Sequence, residues 1–288
     1  MKRLLILSGK GGTGKTTTAA SFIHFSQAKA FADCDIDAPN LLLVSDQDAA
    51  PVETPFYGSE KAVIDPALCV GCGLCAQHCR FDALAQQDGI YQVNEFACEG
   101  CGVCEYICPQ HAVKMVEDQA GMQSLYQGNR VFSTAILKMG RGNSGKLVSA
   151  VKLALLKNAP DCDLAVFDGS PGIGCPVIAS ISGMDLILVV AEPTLSGISD
   201  LERLIRSAEV FQTKTAVCIN KWDASPENTH AIEVFCSEHN LPFVGKIPYD
   251  KTASKAINAG KSVAELDCPA RSALLEVYHN TMQLLDFT

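Results

Sequence analysis

Leu4-Leu5-Ile6-Leu7-Ser8-Gly9-Lys10-Gly11-Gly12-Thr13-Gly14-Lys15-Thr16-Thr17 decides how the remainder of the chain is read. Four consecutive apolar residues predict a buried strand, and Thr18-Ala19-Ala20-Ser21-Phe22-Ile23 predicts the start of a helix. Between them, Gly9 to Thr16 fits G-x-x-x-x-G-K-[ST], the phosphate loop, in the strand–loop–helix setting that motif requires. Without that setting a glycine-rich turn would read equally well as a structural loop. The glycines let backbone N–H groups turn inward around an anion, and the helix N-terminus adds a positive dipole end. Lys15 is expected to reach the β- and γ-phosphates and Thr16 to place its hydroxyl on Mg²⁺. Gly9, Gly11, Gly12, Thr13, Gly14 and Thr17 complete the expected nucleotide-contacting set.

Working outward, 288 residues suffice for one large core, or one core and a small module. A hydrophobic content of 48% and a mean hydropathy of +0.14 suit a soluble α/β protein. No run approaches the ~20 apolar residues of a membrane helix. Met1-Lys2-Arg3 leads straight into the first strand, so no signal peptide is expected and a cytoplasmic location is. A net charge of −9 argues against nonspecific nucleic-acid binding.

Further along, Lys29-Ala30-Phe31-Ala32 predicts a short strand ending in Asp33-Cys34-Asp35-Ile36-Asp37-Ala38-Pro39-Asn40. Carboxylates at the end of a strand beside a phosphate loop are placed for metal and water. A turn or helix cap would account for Asp37 but poorly for three alternating aspartates. Pro51 to Ser59 is expected to be a linker. Strands are predicted at Val131–Leu137, Leu164–Phe167, Asp185–Ala191, Thr215–Ile219 and Phe243–Pro248, with helices at Lys146–Lys157 and Ile198–Phe211. Strands alternating with helices predict a mostly parallel sheet with helices on both faces. Asn220, at a strand end, suits the amide edge of a purine. Asn220-Lys221-Trp222-Asp223 also matches the Asn-Lys-x-Asp of GTPases, where the Asp selects guanine, but the lysine-rich loop and switch sequences point to ATP, so Asn220 is assigned to adenine with guanine left open.

Fourteen cysteines are many, and eight lie between Cys69 and Cys108. Beside a phosphate loop they point to metal sites rather than disulfides. Of the other six, several sit in apolar surroundings and read as small core residues, and Cys175 as a buried or interface thiol. Cys69-x-x-Cys72-x-x-Cys75-x-x-x-Cys79 recurs as Cys98-x-x-Cys101-x-x-Cys104-x-x-x-Cys108-Pro109. This is the bacterial ferredoxin run, found twice. In that pattern the fourth cysteine serves the other cluster. One [4Fe–4S] cluster is therefore expected on Cys69, Cys72, Cys75 and Cys108, and the other on Cys98, Cys101, Cys104 and Cys79. Arg80 stands where a proline is usual. Zinc competes for soft thiolates, though its sites commonly use separated cysteine pairs. Residues 60 to 118 carry nine acidic and three basic side chains, so this segment holds −6 of the net charge.

Lys10-Gly11-Gly12-Thr13-Gly14-Lys15-Thr16, with a second lysine after the first glycine, resembles the deviant phosphate loop of the MinD/ParA/Mrp and nitrogenase-iron-protein ATPases. The resemblance implies ATP or ADP with Mg²⁺, and a dimer in which Lys10 crosses to the partner's nucleotide. A solvated lysine is the plainer alternative. It further implies that Asp33 supports the Mg²⁺ shell and that Asp35 orients the attacking water. Asp168-Gly169-Ser170-Pro171-Gly172 resembles the second switch, with Asp168 reaching Mg²⁺ through water and the Gly172 N–H sensing the γ-phosphate. Pro248-Tyr249-Asp250 resembles the family's nucleotide-flanking loop, which brings in Pro248 and Asp250.

Motif order therefore predicts an ATPase domain of residues 1–58 and 119–288, interrupted by a ferredoxin domain of residues 59–118. The main expectation is an ATPase, homodimeric or paired with a related ATPase, that couples nucleotide state to electron transfer with a redox partner. The alternatives are a cluster carrier serving iron–sulfur apoproteins and a positioning or scaffold ATPase with structural or redox-sensing clusters. Mrp-type carriers use a late Cys-x-x-Cys, and no such pair follows Cys108. Pro269 to Phe287 sets Leu274, Tyr278, Met282 and Leu285 on one face with one arginine, Arg271, so it is expected to pack on the sheet rather than anchor in a membrane.

Overall fold

The computed structural model describes residues 1–285, with backbone only at Ile257 and Asn258. In chain order the strands and helices are β1 (Lys2–Leu7), α1 (Lys15–Ser26), β2 (Ala30–Asp33), β3 (Pro51–Tyr57), β4 (Lys61–Ile64), α2 (Leu74–Gln77), β5 (Leu84–Gln87), β6 (Ile90–Val93), α3 (Val103–Ile107), β7 (Val113–Val116), β8 (Gln119–Gln127), β9 (Val131–Leu137), α4 (Ser144–Asn158), β10 (Leu164–Asp168), α5 (Cys175–Ile181), β11 (Leu186–Ala191), α6 (Leu195–Val210), β12 (Lys214–Asn220), α7 (Pro226–Glu238), β13 (Phe243–Ile247), α8 (Lys251–Asn258) and α9 (Pro269–Leu284). The large sheet has the order β13-β12-β11-β1-β10-β2-β9-β8-β3. Its pairings from β13 to β9 are all parallel. The fold is thus α/β with a mostly parallel sheet, as the alternation of periodicities predicts.

The contacts divide the chain into two compact units: residues 1–53, 123–136 and 144–288, and residues 54–122 with 137–143. Strands β3 and β8 carry the chain from the first unit to the second and back. Residues 51–59 are not a linker, since most of them form β3. Only Phe56 of that strand is buried. Prolines survive there because β3 is an edge strand, where a missing N–H costs no ladder bond. The sequence reading also passed over β8, α7 and α8. These carry weak apolar periodicity or many polar residues.

In the first unit, Leu4, Leu5 and Ile6 of β1 have no exposed surface, nor do Phe22, Phe31, Phe132 and Phe167. Phe31 stacks on Phe132 at 5.0 Å between ring centres, and Tyr126 stacks on Phe132 at 5.5 Å. Leu274, Met282 and Leu285 join this core, and Tyr278 meets Phe22 edge-on at 5.2 Å. The last helix therefore packs inward as expected. The end of the predicted helix, Asp286 and Phe287, lies outside the described residues. Among the described residues no helix is long and apolar enough to cross a membrane.

In the second unit the sequence repeat becomes a backbone repeat. Cys69 N–H donates to Asp65 O at 3.1 Å, and Cys98 N–H donates to Asn94 O at 3.0 Å. Gly71 and Gly100 have φ of 69° and 71°. A Cβ at either would stand 2.2 Å from a carbonyl oxygen, of Gly89 and Glu60 respectively, so only glycine fits. Strand β4 pairs antiparallel with β7, and β5 with β6. The small core gathers Ala62, Ala83, Val113 and the thiols of Cys79, Cys98, Cys104 and Cys108. Arg141 fastens the 137–143 segment within this unit. It pairs with Glu95 at 2.5 Å and Asp118 at 3.1 Å, and lies over the Phe96 ring. That return segment has no counterpart in the 59–118 span expected from motif order.

Behind the second switch, Lys152 of α4 is 7% exposed and donates to three carbonyl oxygens at the end of α5: Ala179 at 2.6 Å, Ser180 at 2.9 Å and Ser182 at 2.6 Å. Burial pushes its ammonium down to about 8, so it is still protonated at neutral pH. Cation and helix C-terminus attract one another, and the three bonds satisfy carbonyls that α5 cannot. Lys152→Met should keep the packing volume but orphan those acceptors. The expected loss is about 2–4 kcal/mol in urea unfolding of the full chain, against under about 1 kcal/mol if these bonds contribute little.

Candidate functional site

The parallel register assembles the site. Ile6 pairs with Asp168, and Asp168 pairs with Asp33, so both aspartates end their strands beside the loop that leaves β1. Strand β10 thus brings the second switch between the loop and the first switch, although 135 residues separate Asp33 from Asp168. Gly14 caps α1 without a side-chain hydrogen bond, which leaves the first amides of the helix for an anion. Its φ is 97°, and a Cβ there would come 2.2 Å from Asn220 Nδ2. A Cβ on Gly9 would meet Asp200 Cβ at 2.2 Å, so α6 closes on the start of the loop. Asp200 escaped the sequence reading, since nothing in a helical Asp marks such a contact.

Lys15 is 5% exposed, and its Nζ donates to Asp168 Oδ1 at 2.6 Å. It also lies 3.6 Å from Asp35 Oδ2 and 3.4 Å from Thr16 Oγ1. Asp33 is fully buried and accepts the N–H groups of Asp35 and Leu41, both at 2.9 Å. Burial and the neighbouring Asp168 push Asp33 up to about 7. Burial also raises Asp35, against the pull of Lys15. Burial works to lower Lys15, but Asp168, Asp33 and Asp35 outweigh it and raise the ammonium. Three carboxyl groups therefore crowd one ammonium, and the raised Asp33 and Asp35 are the cost of packing them together. Asp168 Oδ2 is buried with no hydrogen-bond partner, although Asp168 Oδ1 is engaged. An orphaned carboxylate oxygen in a negative, buried cage fits a hard divalent cation and its water.

Two pockets flank the loop. One is lined by Lys15, Thr16, Thr17, Asp35, Asp37, Asn40 and their neighbours. The other is lined by Gly12, Gly14, Asn220, Pro248, Tyr249 and Asp250, among others, and suits a base. Asn220 Nδ2 donates to Thr13 O at 2.7 Å, and its Oδ1 accepts Lys221 N–H at 3.0 Å. Asp250 accepts Thr252 N–H at 2.8 Å and Ala270 N–H at 3.3 Å, which holds its carboxyl below the ordinary value and ties α8 to α9. The Gly172 N–H donates to Ser8 O at 3.1 Å.

Lys10 is held within its own chain. Its Nζ lies 3.0 Å from Glu192 Oε2 and donates to Thr194 Oγ1 at 3.0 Å and Ser196 Oγ at 3.3 Å. Glu192 Oε1 takes Lys221 Nζ at 2.9 Å, and Lys221 also donates to Gly12 O at 3.1 Å. Sequence reasoning gave Glu192 no role. Nothing in the sequence marks it, since the lysines it meets lie 182 and 29 residues away.

In the second unit, Cys69, Cys72, Cys75 and Cys108 line one pocket, and Cys79, Cys98, Cys101 and Cys104 line another. The Ala112 N–H donates to Cys108 Sγ at 3.3 Å. Among the described residues no group of three or more His, Cys, Asp or Glu stands close enough to hold a single metal ion. A four-iron cube would not require such a group, since it takes each thiolate on a different iron. The donor set, four soft thiolates to a pocket, fits such a cluster. Cys34, Cys218, Cys236 and Cys268 are buried as expected. Cys175 is exposed, which removes the buried half of its reading but not the interface half, and it sits in the first turn of α5, where the chain leaves the second switch.

An uncharacterised protein of Methanocaldococcus jannaschii is 32% identical over 256 residues, covering 85% of this chain and 86% of its own. An uncharacterised ATP-binding protein of the same organism is 25% identical over 281 residues, covering 95% of this chain and 85% of its own. The septum site-determining protein MinD of Pyrococcus horikoshii, solved with Mg-ADP, shares the fold at a TM-score of 0.57 and 15% identity, covering 99% of this chain and 97% of that one. Residues 4–263 match the model of the CobQ/CobB/MinD/ParA nucleotide binding domain. With its glycine loop, switch aspartates and parallel sheet, the chain belongs to that family and is an ATP-binding ATPase.

Proposed function

We propose that this chain is a MgATP-driven switch of the MinD/ParA kind, dimeric when it turns over, with two [4Fe–4S] clusters in its inserted ferredoxin-like unit. The observation that carries the nucleotide part is the buried cage of Lys15, Asp33, Asp35 and Asp168 with its orphaned oxygen. Lys15 would exchange Asp168 for the β- and γ-phosphates. Thr16 and Asp168 would face Mg²⁺, directly and through water, with Asp33 bracing the shell. Asp35 would orient the attacking water. The backbone of Gly9 to Thr17 would cradle the phosphates, with Asn220, Pro248 and Asp250 beside the base. The Gly172 N–H would leave Ser8 O for the γ-phosphate, so the second switch would change with nucleotide state.

Lys10 would swing from Glu192 to the partner's nucleotide and steady charge on the transferring phosphoryl group, as an arginine finger does. The MinD likeness favours the positioning or scaffold reading over electron transfer, with clusters that are structural or redox-sensing. Electron transfer is the second reading. It is supported by the two pockets of four cysteines, which pair across the repeat as ferredoxin runs do.

Two measurements test this. Anaerobically purified protein should contain about eight iron and eight acid-labile sulfides per chain. Stoichiometric zinc without sulfide would remove both cluster readings and leave the nucleotide switch standing. In hydrolysis assays, Lys15→Ala should abolish ATP binding. Lys10→Ala and Asp35→Ala should bind ATP normally and turn over roughly 10²–10³-fold more slowly, since their roles arise in the dimer or the transition state. Wild-type turnover by Lys10→Ala would refute the cross-dimer role.

A further inference from the structure

The Asn220-Lys221-Trp222-Asp223 run offers two uses for its aspartate. A carboxylate selects guanine by accepting N1–H and the 2-amino group together, which requires it to face the base. Asp223 instead stands outside the base-side pocket, whose lining includes Asn220, Lys221, Pro248, Tyr249 and Asp250. Its Oδ1 accepts the Tyr249 N–H at 2.7 Å. The turn that carries it is fixed at both ends. Lys221 takes a left-handed φ of 56°, the Ala224 N–H donates to Lys221 O at 3.0 Å, and Thr229 Oγ1 donates to Trp222 O at 2.7 Å. The first two members of the run are occupied as well. Asn220 Nδ2 bonds Thr13 O and Lys221 Nζ bonds Gly12 O, so both hold the phosphate loop. Asp250, the pocket's own carboxylate, is taken up by the N–H groups of Thr252 and Ala270.

We propose that Asp223 is a positioning residue for the nucleotide base, not a base reader: it pins Tyr249 so that the Pro248–Asp250 loop walls the pocket beside the phosphate loop. Strands β12 and β13 are neighbours, with Asn220 opposite Ile247, so the two loops that follow them leave the sheet side by side. Asp223 joins the second to the first, and Asn220 and Lys221 join the first to the phosphate loop. Base wall and phosphate cradle are thereby one braced assembly. Guanine then finds no carboxylate turned toward its N1–H and 2-amino group. The inference rests on the reading of this pocket as the base site.

The test is titration of the full chain with a non-hydrolysable ATP analogue and its GTP counterpart, alongside kcat and KM for ATP hydrolysis. Asp223→Ala should weaken the ATP analogue about tenfold, the size of one hydrogen bond to a charged acceptor, and raise KM while leaving kcat near wild type. Asp223→Asn should restore affinity to within about twofold, because its amide oxygen still accepts the Tyr249 N–H. A merely structural loss would lower kcat with KM and would not be rescued so selectively. Unchanged affinity in Asp223→Ala overturns the proposal. So does a wild-type preference for GTP that Asp223→Asn abolishes, because that is the behaviour of a base reader. Failure of the wild type to bind either nucleotide would instead overturn the base-site reading beneath it.

Discussion

The buried pair of Lys15 and Asp168 is the contact on which the site turns. Its 2.6 Å separation joins the phosphate loop to the second switch with almost no solvent between them. A buried ion pair is weak evidence of stabilisation, because desolvation offsets much of its Coulomb energy. Here it is also over-supplied with negative charge, since Asp33 and Asp35 crowd the same lysine. On the proposed reading, Lys15 and its carboxyl neighbours stand where a phosphate and a cation would together be held. MgATP would supply both an anion for the lysine and a cation for the carboxylates. On that reading binding would be coupled to both switches, because each contributes a carboxylate to the same cage.

That cage exists because of the sheet. A parallel register puts the ends of β1, β10 and β2 at one edge, and the loops that follow them converge there. The second unit is stabilised in a different way. Its apolar core is small and counts thiols among its members, so a group bound by those thiols would contribute to folding as well. Arg141 holds a segment between β9 and α4 to this unit, and α4 carries the lysine that grips α5 behind the second switch.

Much of this was legible in the sequence because backbone requirements dictate residue type. Gly14 must be glycine at a φ of 97°, and Gly71 and Gly100 must be glycine where a carbonyl lies 2.2 Å from a Cβ position. Motifs built from such positions survive reading in one dimension. The central strands were equally plain, being continuous apolar runs buried on both faces. Strand β3 was not, since its prolines signal a loop unless the strand is known to lie at an edge. Glu192, Asp200 and Lys152 were invisible for another reason. Their roles come from partners 182, 191 and 27 or more residues away, brought close only by the parallel crossovers. Tyr249 contributes through its backbone N–H, which no side-chain pattern reports.

The measurement that tests the cage most directly replaces Mg²⁺ with Mn²⁺ and follows it by electron paramagnetic resonance. The full chain is titrated with and without a non-hydrolysable ATP analogue, as wild type and as Asp168→Asn. The account predicts about one tightly held Mn²⁺ per chain that depends on the nucleotide, beyond what the free analogue binds, and at least about a tenfold loss of that affinity in Asp168→Asn. Equal Mn²⁺ affinity in the two proteins would contradict it, because the orphaned oxygen of Asp168 would then have no part in holding the metal.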